Sequence, residues 1–214
     1  MQDARVTLDD SQDTAAVQRR TLGILWLSAV FSRGAVSAMF PVSVLAIKDM
    51  LGSDTWAGLA TGAGTVGAAF GAVWLANMMQ RRGRTPALSA GFAVATVGGI
   101  IAITAIELGS LLLFLPAMVL IGVGSGTSYL SRYAAADLAT EERRSRDIST
   151  VIFAATFGAV FFPLFIGVTG DLAEDASFDA NAGGFAMAVA LFVLAGGVIW
   201  LFRLFSLKWG VMCS

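Results

Sequence analysis

Six long apolar stretches constrain this chain more than any other feature of its sequence. A helix that crosses a bilayer needs about 20 mostly apolar residues. Of the 214 residues 57% are hydrophobic and 14% are charged. The apolar stretches run approximately over Leu22–Ile47, Thr55–Met79, Pro86–Ile106, Leu111–Ala136, Ile148–Gly170 and Gly184–Phe205. Because backbone amides in lipid must be paired within the chain, the sequence predicts an all-α membrane protein with six transmembrane helices.

These spans divide the chain into three segments. Residues 1–20 form a polar tail, residues 21–206 a six-span helical bundle, and residues 207–214 a short carboxy-terminal end. The tail is acidic, and the apolar run behind it is longer than the roughly 7–15 residues of a signal-peptide core. We therefore expect a floppy cytoplasmic tail that is followed by a retained first span.

The basic residues predict how the chain is threaded. Of the fourteen, eleven lie in the two terminal segments, at the end of span six, in the loop between spans two and three and in the loop between spans four and five. The alternate loops contain Lys48 alone, and the last of them, residues 171–183, is long and acidic. Because basic loops stay in the cytoplasm, we expect both termini there, in a protein of the plasma (inner) membrane.

The composition also excludes several classes of function. The chain has no His, and Cys213 is its single cysteine. A Ser-His-Asp triad, a His-containing zinc site and a disulfide framework are therefore excluded. The net charge of −1 provides no basic field for nucleic acid. We predict a protein that is not an enzyme and that needs no cofactor.

Arg33 and Pro41 are the candidate cavity residues of span one. Arg33 lies about twelve residues into the span, and an arginine at that depth costs several kcal/mol unless it is paired or hydrated. It could bind an anionic solute group or a counter-charge elsewhere; alternatively, span one begins later and the side chain reaches the headgroups. Pro41 and Pro163 interrupt helical hydrogen bonds, which indicates a binding region or a tolerated bend.

Small residues are frequent in the spans. Span two contains the GxxxG pairs Gly58/Gly62 and Gly67/Gly71, which let helix backbones approach closely. Such residues either pack the bundle or provide smooth faces along which helices move, and their abundance does not distinguish the two.

The turn between spans two and three carries the first family resemblance. Its sequence, ANMMQRRGRT, resembles the signature loop of the major facilitator superfamily, G-x-x-x-D-[RK]-x-G-R-[RK]. Gly83 permits a turn that other residues resist. The matching residues are Arg81, Gly83 and Arg84, and the departing ones are Ala76, Gln80 and Thr85.

Two later segments resemble the same superfamily, in the expected order. The end of span four, with Arg132 and Asp137, is similar to the family's ADL…P-E-E-R-x-R exit. The resemblance implies that Asp137 pairs with Arg81 or Arg84 and holds the cytoplasmic gate in one state; the alternative is an ordinary interfacial charge cluster.

Span five is similar to the family's antiporter motif, G-x-x-x-G-P-x-x-G-G. The matching residues are Gly158, Pro163 and Gly167, whereas Phe162 and Ile166 replace the other two glycines. The basic residue that the family has midway along span four is missing, and Met118 lies near that place.

The resemblance covers most of residues 21–205 and implies the amino-terminal half of a twelve-helix fold, built as a three-plus-three inverted repeat. The implied function is secondary transport of a small solute by alternating access, with efflux antiport suggested by span five. The implied partners are the solute, H⁺ or another coupling ion, the lipid bilayer and a second six-helix half. We expect a truncated chain; the alternative is assembly of two six-helix chains. A membrane interaction protein, or a fragment without transport of its own, is the competing hypothesis.

Overall fold

A computed structural model describes the backbone of residues 2–56, 58–138 and 144–208, and the side chains of residues 23–24, 26–53, 55–56, 58–130, 149–150 and 152–201. Within these ranges the chain forms seven α-helices and two short 3₁₀ segments. The helices are α1 (Gln2–Leu51), α2 (Gly58–Arg82), α3 (Arg84–Glu107), α4 (Leu111–Leu138), α5 (Arg144–Phe161), α6 (Ile166–Asp175) and α7 (Ala180–Lys208). The 3₁₀ segments are Asp54–Trp56 and Phe162–Phe165.

The prediction of six transmembrane helices is confirmed. Within the described residues, six helical stretches are long and apolar enough to cross a bilayer: Trp26–Leu51, Gly58–Arg82, Arg84–Glu107, Leu111–Leu130, Ile152–Asp175 and Ala180–Leu201. Span five consists of α5, the second 3₁₀ segment and α6, and span six is α7.

Two boundaries differ from the sequence-based expectation. Helix α1 begins at Gln2, so the polar segment expected as a floppy tail continues the first span as helix. The predicted acidic loop of residues 171–183 is shorter, because α6 continues to Asp175 and α7 begins at Ala180. Hydropathy locates the limits of the apolar region, but a helix that has already formed extends past them at little cost.

The core lies between α1, α3, α4 and α7. Its largest buried side chains include Phe92, Phe114, Phe185 and Phe192. Phe114 and Phe185 meet edge to face with their ring centroids 5.7 Å apart, and Phe92 and Phe192 lie 6.3 Å apart. Because lipid is as apolar as these rings, close packing rather than exclusion of water holds such helices together.

Glycines bring α2 and α4 into backbone contact. A β-carbon at Gly67 would overlap the carbonyl oxygen of Val119, and one at Gly122 would overlap the carbonyl oxygen of Gly64. Positions 58 and 62 have open space instead, with no other described atom within 4 Å of a built β-carbon. Of the two GxxxG pairs in span two, only Gly67/Gly71 therefore packs against a described helix of this chain.

Hydrogen bonds connect three helix ends on one side of the bundle. The side-chain amide of Asn181 donates to Oδ2 of Asp49 at 2.9 Å, and the backbone N–H of Asp179 donates to Oε1 of Glu107 at 2.9 Å. These contacts bring the ends of α1 and α3 to the start of α7, all of which the predicted threading places on the external side.

Candidate functional site

Helices α1, α2, α4 and α5 line an open cavity of about 420 Å³. That volume falls within the range of about 300–1,000 Å³ typical of small-molecule sites. Most of its wall is apolar, with Val36, Met39 and Phe40 from α1 and Met118 and Ile121 from α4. The polar side chains in the wall are those of Arg33, Ser37, Thr65, Ser125 and Tyr129.

Arg33 lies in the wall of this cavity. It follows Trp26, the first residue of the hydropathy-defined span, by seven positions, which is about 10 Å along the helix. Its Cζ lies 5.5 Å from the centroid of the Tyr129 ring, within the range of a cation–π contact. Among the described residues no carboxylate forms an ion pair with it. The N–H groups of the guanidinium are therefore suited to an anionic partner.

A proline in span five connects the cavity wall to α1. Pro163 has no N–H and therefore cannot donate to the carbonyl of Ala159, four residues earlier. The Ser37 hydroxyl donates to that carbonyl instead, at 2.7 Å. Ser37 and Ala159 both line the cavity, so this interhelical hydrogen bond lies within its wall.

Pro41 is not among the described residues that line the cavity, and its side chain is exposed. It influences the site through the backbone, because it lacks the N–H that the carbonyl of Ser37 would accept in a regular helix. Its predicted contact with solute stays a prediction.

The three matching residues of the antiporter-like motif have different surroundings: one packs against another helix, one interrupts the helix of span five, and one has open space around it. A β-carbon at Gly158 would overlap the carbonyl oxygen of Val30 on α1. Pro163 lies in the 3₁₀ segment, whereas Gly167 has no described neighbour within 4 Å of a built β-carbon. The Phe162 side chain, which replaces a family glycine, occupies the space that a β-carbon at Gly34 would need. A glycine on α1 thus accommodates the phenylalanine at the start of the second 3₁₀ segment.

The signature-like turn consists of a single residue between α2 and α3. Gly83 has φ 87° and ψ 171°, a region that is essentially restricted to glycine, and its N–H donates to the carbonyl of Met79 at 3.0 Å. Arg81 and Arg84 are exposed on either side. The side chains of Arg132 and Asp137 lie outside the described residues, so the gate contact stays a prediction.

Sequence analysis missed four polar cavity residues. They are Ser37, Thr65, Ser125 and Tyr129. Two of them form an i, i+4 pair on α4, and Ser37 stands four residues after Arg33. Polar side chains at this spacing share one helix face, so a search for i, i+4 polar pairs within apolar spans would have found three of the four.

We expect the aromatic ring of Tyr129 to stabilise Arg33. Tyr129→Phe keeps the ring and should retain the cation–π contact, whereas Tyr129→Leu removes a contribution of about 0.5–2 kcal/mol. Thermal unfolding of the purified protein in nanodiscs measures the difference. An equal loss in both variants would assign the stabilisation to the hydroxyl group.

Comparisons with known proteins agree with this architecture. The sequence profile of the Major Facilitator Superfamily matches residues 25–209. The chain is 34% identical over 186 residues to the "Uncharacterized MFS-type transporter YdeG" of Bacillus subtilis (strain 168), covering 87% of this chain and 43% of that protein. It is 31% identical over 195 residues to the "Uncharacterized MFS-type transporter YddS" of the same organism, covering 91% and 45%.

A third relative has a named solute. The chain is 26% identical over 189 residues to the "Riboflavin transporter RfnT" of Brucella anthropi, covering 88% of this chain and 47% of that protein. The chain thus spans about half the length of the curated relatives that it matches. With six transmembrane helices and a match over most of its length, the chain belongs to the Major Facilitator Superfamily.

Proposed function

We propose that this chain is the six-helix half of a secondary transporter that moves a small solute across a membrane by alternating access. The cavity between α1, α2, α4 and α5 is its share of the solute site. One observation carries the proposal: Arg33, a charged side chain within an apolar span, lines a cavity of small-molecule size. Charged residues inside membrane spans are costly, and they usually mark a transport pathway.

The proposed partner of this chain is a second six-helix half, from further sequence or from another chain. Its support is the length relation, since this chain corresponds to about half of its relatives. In transporters built from such repeats the solute lies between the halves near the middle of the membrane. The arginine distribution supports a plasma-membrane protein with both termini in the cytoplasm.

Efflux antiport, driven by H⁺ or another ion, is the proposed mode of transport. Its support is the fifth span, where Gly158 contacts α1 and Pro163 interrupts the helix in a motif that resembles the antiporter pattern. The family is one of carriers, which supports transport without a catalytic step. One relative is named as a riboflavin transporter, which supports a small organic molecule as the solute of this chain. We do not propose riboflavin itself as that solute.

Cysteine accessibility tests alternating access without knowledge of the solute. Ser125→Cys places a thiol in the cavity wall, in a background without other cysteines such as Cys213. We expect an impermeant thiol reagent to modify this introduced thiol from either side of the membrane, in right-side-out and in inverted vesicles. Modification from one side alone, under all energised and de-energised conditions, would contradict alternating access and favour a membrane protein without transport.

Two control positions fix the threading in the same experiment. Leu108→Cys lies in the turn after α3, and Arg82→Cys lies at the end of α2; both positions are exposed. We expect the first to react only from outside and the second only from the cytoplasm. The reverse pattern would overturn the predicted orientation of the chain.

A further inference from the structure

We propose that the cavity selects a monoanionic organic acid: a solute with one carboxylate, held by Arg33, and an apolar body. This inference rests on the proposed function, because it names the class of solute for the same site. It follows from three properties of the cavity wall, namely its charge, its hydrogen-bond donors and its apolar area.

The charge of the wall favours one negative charge in the solute. Among the described residues that line the cavity, Arg33 alone is charged. A partly buried charge is stabilised when an opposite charge pairs with it, whereas this chain's wall offers no second positive charge to a second anionic group. A cation would meet the repulsion of the guanidinium. A monoanion therefore matches the wall better than a dianion, a cation or a neutral solute.

Two of the four hydroxyl groups in the wall already donate their hydrogen within the protein. The Ser37 hydroxyl donates to the carbonyl of Ala159 at 2.7 Å, and the Thr65 hydroxyl donates to the carbonyl of Thr61 at 2.8 Å. Each has used its one hydrogen within the protein and can only accept further hydrogen bonds. The guanidinium, by contrast, presents paired N–H groups that fit both oxygens of a carboxylate.

The rest of the wall suits an apolar body. Val36, Met39, Phe40, Met118 and Ile121 line the cavity together with the Tyr129 ring. Flexible methionines adapt to the shape of an apolar ligand. A ring attached to a carboxylate at Arg33 would contact these side chains.

Three matched probes test the class of solute. Benzoate is an aromatic monoanion, benzamide is a neutral molecule of nearly the same shape, and phthalate is the corresponding dianion at neutral pH. Each probe is added while the impermeant thiol reagent modifies the Ser125→Cys thiol. The protein used is this chain assembled with its proposed second six-helix half. We expect benzoate to slow modification at least fivefold, and benzamide and phthalate to slow it less than twofold at the same concentration.

Substitutions of two charged residues on α1 test whether Arg33 binds the anion. Arg33→Gln should abolish protection by benzoate, and Arg33→Lys should retain part of it. Lys48→Gln removes one positive charge from the exposed far end of the same helix and should leave protection unchanged. If Arg33→Gln does not fold, the probe series on the unmodified arginine still decides the inference.

The outcomes separate this inference from the proposed function. If the Ser125→Cys thiol reacts from both sides but benzoate and benzamide protect it equally, alternating access stands and the selectivity for monoanions is wrong. If benzoate protects the thiol but modification occurs from one side only, the anion site stands and transport is wrong. If none of the three probes protects the thiol, or if Arg33→Gln keeps full protection by benzoate, the inference is overturned.

Discussion

Gly158→Ala should destabilise the bundle by about 1–3 kcal/mol, the usual cost of inserting an atom into a packed interface. The added β-carbon would overlap the carbonyl oxygen of Val30, and a backbone atom cannot move aside as a flexible side chain can. The packing of α1 on α5 must therefore loosen. The midpoint of thermal unfolding in nanodiscs measures the loss.

The same motif contains the matched control for Gly158. Gly167→Ala adds an identical methyl group where no described atom lies within 4 Å, so the unfolding midpoint should hardly change. Equal destabilisation by both variants would show that the helix–helix contact at Val30 is not the cause. Normal stability of Gly158→Ala, combined with slower modification of the Ser125→Cys thiol, would instead assign Gly158 to helix movement, the alternative that the sequence left open for its small residues.

Ser37→Ala should cost about 1 kcal/mol in the natural sequence and much less in a Pro163→Ala background. In the natural chain Pro163 cannot donate to the Ala159 carbonyl, and the Ser37 hydroxyl is its partner at 2.7 Å. Loss of that partner leaves a part-buried acceptor without its side-chain donor. Measured interhelical hydrogen bonds in membranes average about 0.6 kcal/mol. Alanine at 163 restores an N–H four residues after Ala159, so the carbonyl regains a donor within its own helix.

A double-mutant cycle of four proteins measures this coupling. The natural chain, both single variants and the double variant are unfolded under the same conditions, and the coupling free energy is the departure from additivity. Additive effects would show that Ser37 and Pro163 act independently. Ser37→Thr, which keeps the hydroxyl, serves as the control and should retain most of the stability.

Much of the fold follows from the sequence, because lipid leaves the backbone little choice. All six spans overlap their predicted positions, and Gly83 forms the predicted tight turn at φ 87°. The helix ends were less predictable, as the extension of α1 to Gln2 shows. Whether a polar segment continues a helix depends on propagation from the span, which hydropathy does not report.

The site was predicted in part. Arg33 could be singled out because a charge in an apolar span is expensive, and the structure places it in the cavity wall. Its neighbour Tyr129 stands out only through its i, i+4 spacing from Ser125, because an aromatic residue near a span end is ordinary in sequence. Likewise, the sequence shows Phe162 only as a departure from the antiporter pattern, and the structure adds that Gly34 lies opposite its ring.

The sequence by itself determined that the chain crosses the membrane six times. The reason is that apolar stretches and arginines interact with the bilayer directly, whatever the other parts of the chain do. Only the tertiary structure decided which polar residues share the cavity, which of the GxxxG pairs packs, and that Ser37 donates to the carbonyl left unpaired by Pro163. The physical reason is distance: hydrogen bonds, cation–π contacts and steric overlap act over a few ångströms between helices far apart in sequence.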